Sequence, residues 1–269
     1  MQRWSVCRGG FRAGKSLAML LPRKGDGQEM AVEETIVRKL ASCAAVLFCL
    51  LAGLTLPEKP YLTVEDADFN GLLPPPPAEG SAAQEWELQA VLDMQKAVTP
   101  DRLLRIEADA EISVYRLVEG IFGTHFTKDR FPVTGDFFGR VNQATVVGVA
   151  TIKLKYKRLR PFQVSGEVKT SPRIAAEAQS PAYPSQHATF GAQAALLLAK
   201  MVPEKEAELY ARGWEYGKHR IASGVAYPSD WEGGQVSGTA MVRVMMEKPQ
   251  FHADFEAAKS ELRKGLGLQ

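Results

Sequence analysis

The sequence contains little cysteine and places none of it in the main part of the chain. Its three cysteines are Cys7, Cys43 and Cys49. Residues 58–269 therefore cannot build a disulfide framework, a thiol nucleophile or a cysteine-based metal site. Histidine, aspartate and glutamate show no spacing typical of metal ligands either, so we expect neither a metal ion nor another cofactor.

Long apolar runs are also missing after residue 57. No stretch there approaches the roughly 18 apolar residues that a membrane-spanning helix requires, so we expect no integral membrane domain in that part. The formal charge of the whole chain is +2, but residues 1–57 contain eight Lys/Arg and four Asp/Glu. The remainder carries 25 basic and 27 acidic side chains. Because nucleic-acid binding usually requires a clustered basic face, nucleic acid is excluded as the expected partner.

The first 57 residues have a pattern typical of exported proteins. Arg38 and Lys39 precede an almost unbroken apolar run from Leu40 to Leu56, as in a secretory signal peptide. We expect a signal peptide at about residues 30–57 and a periplasmic or secreted product. An uncleaved membrane anchor is the alternative, since the 17 residues of this run reach the lower limit for a membrane span.

The chain is expected to contain three parts. Residues 1–57 form the N-terminal extension with the signal peptide, residues 58–82 form a proline-rich arm, and residues 83–269 form the main domain. In the arm, Leu72 and Leu73 precede four consecutive prolines, which favour polyproline II and exclude a helix. We expect the arm to lie on the surface and to pack its leucines against the domain.

From residue 83 onward the apolar residues recur at helical spacing. No stretch alternates between apolar and polar residues, so the pattern predicts a single all-α domain, a helical bundle. Thr99 and Pro100 form a typical helix start, and Ser229 is the expected cap of a later helix. We expect helices over about residues 86–98, 99–118, 136–157, 186–202, 203–221, 229–248 and 251–264.

Three polar segments interrupt the apolar patterns. They run from Lys153 to Pro161, from Tyr183 to Thr189 and from His219 to Asp230. Each segment has an ordinary structural explanation when it is taken alone. The first is compatible with a solvated basic end of a helix, the second with a helix start, and the third with a simple ion pair.

Taken together, the three segments resemble the sequence motifs of the PAP2 (type-2 phosphatidate-phosphatase) superfamily and, within it, the bacterial class A acid phosphatases. That family has a lysine separated by six residues from Arg-Pro, then Pro-Ser-Gly-His, then Ser-Arg followed by a histidine and an aspartate. The first motif is matched by Lys153 and Arg160-Pro161. The second is matched with Gln186 in place of glycine, and the third with His219 in place of serine. The resemblance covers about residues 60–265.

The resemblance implies a binding site for a phosphoryl group and a role for each matched residue. Guanidinium groups bind phosphate oxygens in fork geometry, and a helix N-terminus adds backbone N–H donors. His187 would be the general acid that protonates the leaving alcohol, and Asp230 would orient a nucleophilic imidazole. The residues expected to bind phosphate are Lys153, Arg160, Ser185, Gln186 and Arg220.

The chain departs from the family pattern at the nucleophile. Counted from Arg220, the nucleophilic histidine belongs at position 226, where this chain has Ala226. Loss of a nucleophile that acts as one unit with its partners commonly costs about 10⁴–10⁶ in rate. Asp230 would then point towards Arg220, Tyr227 or water.

Two functions therefore follow from the sequence. The first is an exported acid-phosphatase-like hydrolase of soluble phosphate monoesters whose activity is weakened or lost. The alternative is a non-catalytic protein, a pseudoenzyme, that binds a phosphoester or inorganic phosphate. A vanadium haloperoxidase would need the same missing histidine, and a lipid phosphatase would need several membrane spans. The sequence leaves a homo-oligomer open.

Overall fold

The computed structural model describes residues 60–63, 65–66 and 71–268, and the expected signal peptide lies outside them. Within these residues the structure contains helices and no strand, which confirms the all-α prediction. A short 3₁₀ turn, Pro203–Lys205, links two of the longer helices. The α-helices of this part are α1 (Ala82–Lys96), α2 (Pro100–Ala108), α3 (Val114–Phe122), α4 (Pro132–Tyr156), α5 (Pro161–Val164), α6 (Pro172–Glu177), α7 (Gln186–Met201), α8 (Glu206–Ala222), α9 (Pro228–Met246) and α10 (Pro249–Gly265).

Helix α7 forms the centre of the domain and packs closely against α8 and α9. Most of its side chains are buried. The backbones of α7 and α8 approach each other at Gly191 and Gly213, where a Cβ on Gly191 would lie 2.7 Å from the carbonyl oxygen of Gly213. On the other side, a Cβ on Gly234 of α9 would lie 2.8 Å from the carbonyl oxygen of Ser185. These close approaches bring the N-terminus of α7 to the facing ends of α8 and α9.

The expected helix over residues 99–118 is divided into two helices. Helix α2 ends at Ala108, and α3 begins at Val114. In the break, both carboxylate oxygens of Asp109 bind side chains of α8, which are Arg212 and His219. The single-helix prediction is therefore wrong because these buried polar contacts hold the chain in a non-helical turn. Two short helices, α5 and α6, were also not predicted. Their four and six residues are too few to show the helical spacing of apolar side chains.

The start of α9 also differs from expectation. Ser229 was expected to cap this helix, but Pro228 is its first residue and Tyr227 occupies the cap position. The carboxylate of Asp230 accepts the backbone N–H of Tyr227 at 2.7 Å and thereby closes the first turn. A buried acidic residue in the first turn has replaced the serine because it satisfies an N–H that the helix leaves unpaired.

The proline-rich arm contacts the domain through one of its two leucines. Leu73 is buried in the main apolar core, whereas Leu72 is 49% exposed. The carbonyl oxygen of Pro74 accepts a hydrogen bond of 2.7 Å from the hydroxyl of Tyr183. Within the residues described, no helix has the length and apolar character needed to cross a membrane.

Candidate active site

The N-terminus of α7 is joined to the N-terminus of α9. Ser185 caps α7 by accepting the backbone N–H of Ala188 at 3.3 Å, and its own N–H donates to the carbonyl oxygen of Asp230 at 2.9 Å. Gln186 is the first residue of α7, and its side-chain amide donates to Asn142 of α4 at 3.4 Å. The Ser185 and Gln186 positions thus lie at a helix N-terminus, where backbone N–H groups and the helix dipole favour an anion.

Backbone carbonyl groups hold two of the three predicted cations. Lys153, which is buried in the last turn of α4, donates through Nζ to the carbonyl oxygen of Pro181. Arg160 donates through Nη1 to the carbonyl oxygen of Val225 at 2.6 Å and through Nε to that of Ser180 at 2.9 Å. Each side chain keeps further N–H donors for a ligand, since an ammonium group has three and a guanidinium group has five.

The three cations lie close enough to affect one another. Burial and the nearby charge of Arg160 together lower the pKa of Lys153 to about 7. Burial likewise lowers the pKa of Arg160 to about 10, together with the charge of Arg220. Arg220 itself is buried at the end of α8. Positive charges gathered in a partly desolvated place are stabilised by an anion bound between them.

His187 lies beside this group of cations. Its pKa is well below the ordinary value, first because of burial and then because of the charges of Arg220, Arg160 and Lys153. The ring stacks on Tyr216, with centroids 5.7 Å apart. Its Nε2 lies 2.9 Å from the carbonyl oxygen of Ala110. The charges of all three cations therefore act on the His187 ring.

Asp230 has a partner that sequence reasoning missed. Its Oδ1 accepts a hydrogen bond of 2.7 Å from Arg158 Nη1, and Arg158 Nη2 also donates to Glu87 of α1 at 2.6 Å. The three side chains are almost fully buried. Burial raises the pKa of Asp230, and the charge of Arg158 opposes that rise.

Asp230 was expected to point towards Arg220, Tyr227 or water. The contact with Tyr227 exists through the backbone N–H, but the charged partner is Arg158 rather than Arg220, because Arg158 reaches the carboxylate from the loop after α4. The only signal for this in the sequence was the basic spacing Lys157-Arg158-Leu159-Arg160.

Ala226 lies in the short loop between α8 and α9 and is 1% exposed. Its backbone N–H donates to the carbonyl oxygen of Arg220 at 3.1 Å. The preceding turn passes through Gly224, whose φ of +75° is accessible mainly to glycine. Position 226 thus lies in the sequence between two residues of the site, Arg220 and Asp230, and carries only a methyl group.

His219 does not join the cations. Its Nδ1 donates to Asp109 Oδ2 at 2.6 Å, and its Nε2 lies 3.6 Å from Glu215 Oε1 one turn earlier in α8.

A surface cavity of about 840 Å³ lies between α2, α3 and α8 and is lined by Asp109, Arg212 and Glu215, among others. None of the residues predicted to bind phosphate lines it. In the described part of the chain, no group of three or more His, Asp or Glu side chains could hold a metal ion.

Comparison with known proteins relates the chain to one family. Residues 140–253 match the PAP2 superfamily. The chain is 28% identical to a non-specific acid phosphatase of Providencia stuartii over 78% of this chain and 87% of that protein. It is 27% identical to a non-specific acid phosphatase of Salmonella typhimurium, over 74% of this chain and 81% of that protein. An acid phosphatase of Zymomonas mobilis is 26% identical, over 71% of this chain and 74% of that protein.

Proposed function

Because this chain is an acid-phosphatase-like protein with a PAP2 superfamily domain, we propose that it binds the phosphoryl group of soluble phosphate monoesters and that Ala226 limits its turnover. The phosphoryl oxygens would contact Lys153, Arg160 and Arg220, together with the N–H groups at the start of α7. The protein would then be a weakened phosphate-monoester hydrolase rather than a phosphatase of full activity.

One observation carries the proposal. The charges of Lys153, Arg160 and Arg220 all act on His187, and all three lower its pKa. These four side chains come from three separate segments of the chain, so their proximity is a product of the fold. A dense group of cations beside one imidazole suits a ligand that carries two negative charges and loses an alkoxide.

The chemistry that remains is proton transfer without a covalent intermediate. A bound phosphoryl anion would raise the lowered pKa of His187 and favour its protonated form. When the P–O bond to the alcohol breaks, His187 would give this proton to the departing oxygen. In the family that the motifs resemble, the phosphorus atom is attacked by the imidazole of a histidine at the position that corresponds to Ala226. Ala226 has no such group, so water would have to attack directly, and the expected rate is lower by about 10⁴–10⁶.

The second candidate function is binding without turnover. It is favoured by the state of Asp230, since both of its carboxylate oxygens already have donors in Arg158 and the backbone N–H of Tyr227. With Ala226 beside it, this carboxylate has no imidazole to orient. The protein would then act as a phosphoester or phosphate receptor.

Binding of inorganic phosphate, measured by isothermal titration calorimetry, tests the site that both functions share. We expect the native protein to bind phosphate and Arg160→Met to bind it at least about tenfold more weakly, as loss of a charged hydrogen bond predicts. Arg243→Met is the matched control, because Arg243 is an exposed arginine of α9. Equal binding by all three proteins would contradict the proposed site.

We also propose that the protein is exported. The support is the basic pair Arg38-Lys39 before the apolar run from Leu40 to Leu56. Expression of the full chain in a bacterium, followed by N-terminal sequencing of the protein in the periplasmic fraction, tests this. A mature N-terminus near residue 58 is expected, whereas a full-length product in the cytoplasm would contradict export.

A further inference from the structure

We infer that Asp109 is a positioning residue that fixes the orientation and the tautomer of His187 through the peptide of Ala110. This inference rests on the proposed function in one respect only, namely that His187 is the proton donor of the phosphate site. It concerns residues 109–111, which lie between α2 and α3 and outside all three sequence motifs.

The contact with Ala110 determines which ring nitrogen of His187 carries the hydrogen. A carbonyl oxygen only accepts hydrogen bonds, so the Nε2 that lies 2.9 Å from Ala110 must carry a hydrogen. In the neutral ring Nδ1 is then unprotonated. Nδ1 is therefore the ring atom that gains and loses the catalytic proton, and the carbonyl of Ala110 determines this assignment.

Contacts of the two neighbouring residues hold the Ala110 carbonyl in place. Asp109, the residue before it, is 2% exposed. Its Oδ1 accepts a hydrogen bond of 2.6 Å from Arg212 Nη2, and its Oδ2 accepts one of 2.6 Å from His219 Nδ1. Glu111, the residue after it, offers its own carbonyl oxygen to the hydroxyl of Tyr216 at 2.7 Å. The Ala110 peptide is thus held on both sides.

Helix α8 provides all of these contacts. Arg212, Tyr216 and His219 occupy positions four and three residues apart, so they share one face of α8. Tyr216 also stacks on the His187 ring, and Arg220 follows on the same helix. One helix therefore supplies a phosphate-binding arginine and, through residues 109–111, the acceptor that orients the proton donor. A rigid support of this kind is what a general acid requires in order to stay aligned with its leaving group.

Nitrogen-15 NMR of the histidine rings at neutral pH tests the inference in the full native protein. The chain has four histidines, and the His187→Gln spectrum assigns the signal of interest. In the native protein we expect a single tautomer of His187, with Nε2 protonated and Nδ1 unprotonated. In Asp109→Ala we expect the two nitrogen shifts to converge, because the tautomers exchange once the Ala110 carbonyl moves.

Asp101→Ala is the matched control, since Asp101 is an exposed aspartate on α2, and its His187 signals should equal those of the native protein. If Asp109→Ala does not fold, Arg212→Met removes one of the two bonds to Asp109 from a side chain that is partly exposed, and a smaller convergence is expected. Unchanged His187 shifts in a folded Asp109→Ala or Arg212→Met protein would overturn the inference.

The same samples separate this inference from the proposed function. Addition of inorganic phosphate to the native protein should move the Nδ1 signal of His187 if the phosphate site is correctly assigned. A fixed tautomer that depends on Asp109, together with no response to phosphate, would preserve the positioning role and refute the phosphate site. A response of the His187 signal to phosphate, without any dependence of its tautomer on Asp109, would support the phosphate site and refute the positioning role.

Discussion

Arg158 Nη1 lies 2.7 Å from Asp230 Oδ1, so a buried arginine pairs with the carboxylate that is predicted to orient an imidazole in related enzymes. The same guanidinium group binds Glu87 and lies over the ring of Tyr227, 4.0 Å from its centroid. This pairing keeps Asp230 compensated although position 226 has no imidazole. The fold therefore does not need a histidine at position 226 in order to satisfy the carboxylate beside it.

Removal of Arg158 should strongly destabilise the protein. Arg158→Met leaves the carboxylates of Glu87 and Asp230 buried without their shared cation, and we expect a loss of about 3–5 kcal/mol in the free energy of unfolding. Urea unfolding monitored by circular dichroism measures this loss. The exposed Arg243→Met serves as the control and should change stability by less than about 0.5 kcal/mol. A loss below about 1 kcal/mol for Arg158→Met would show that the ion pairs contribute little.

Phosphate affinity should fall as the pH rises above about 7. Lys153 has a pKa of about 7 in the free protein, and a bound anion raises this pKa because it stabilises the charged form. Below pH 7 the lysine is already protonated, whereas above it binding must be accompanied by proton uptake. The affinity should therefore decrease by up to about tenfold per pH unit above pH 7.

Calorimetric titrations with phosphate at several pH values, in buffers of different ionisation enthalpy, measure both the affinity and the proton uptake. In Lys153→Met the affinity should be lower at pH 6, and its decrease above pH 7 should disappear. A native affinity that is constant between pH 6 and pH 9 would contradict the account of Lys153.

A methyl group on Gly191 should disturb the site as well as the packing. Its Cβ would lie 2.7 Å from the carbonyl oxygen of Gly213, so α7 must move away from α8, at a cost of about 1–3 kcal/mol. Gly191 is one helical turn from His187, and the movement should also weaken phosphate binding. Gly139→Ala in α4 is the control, because nothing lies within 4 Å of its Cβ. This control should gain up to about 1 kcal/mol.

Thermal unfolding and phosphate calorimetry of the two alanine variants provide the comparison. Equal stability of Gly191→Ala and Gly139→Ala would mean that α7 and α8 can move apart at this contact without a loss in the free energy of unfolding. In that case the close approach of the two backbones would not be what holds His187 near Arg220.

The sequence predicted the helices that bury a continuous apolar face, because their spacing is a local property. It also predicted the three motif segments, whose polar residues interrupt those faces. It did not predict the break at Asp109 or the pairing of Arg158 with Glu87. Both depend on contacts between residues that are 71 or more positions apart, and no local pattern records such contacts. The predicted serine cap at Ser229 was wrong for a related reason, since Ser229 contacts Arg158 and Glu87, which are 71 and 142 positions away.

The most direct test of the account is the rate at which an aryl phosphate is hydrolysed at mildly acidic pH by the native protein and by Ala226→His. The carboxylate of Asp230 has lone pairs left to accept an imidazole N–H beside its present donors, so the new histidine can be oriented. We expect the native protein to be nearly silent and Ala226→His to be faster by on the order of 10³–10⁴. The double variant Ala226→His with Asp230→Asn should lose most of this gain. Rapid hydrolysis by the native protein, with no increase in Ala226→His, would contradict the claim that position 226 limits turnover.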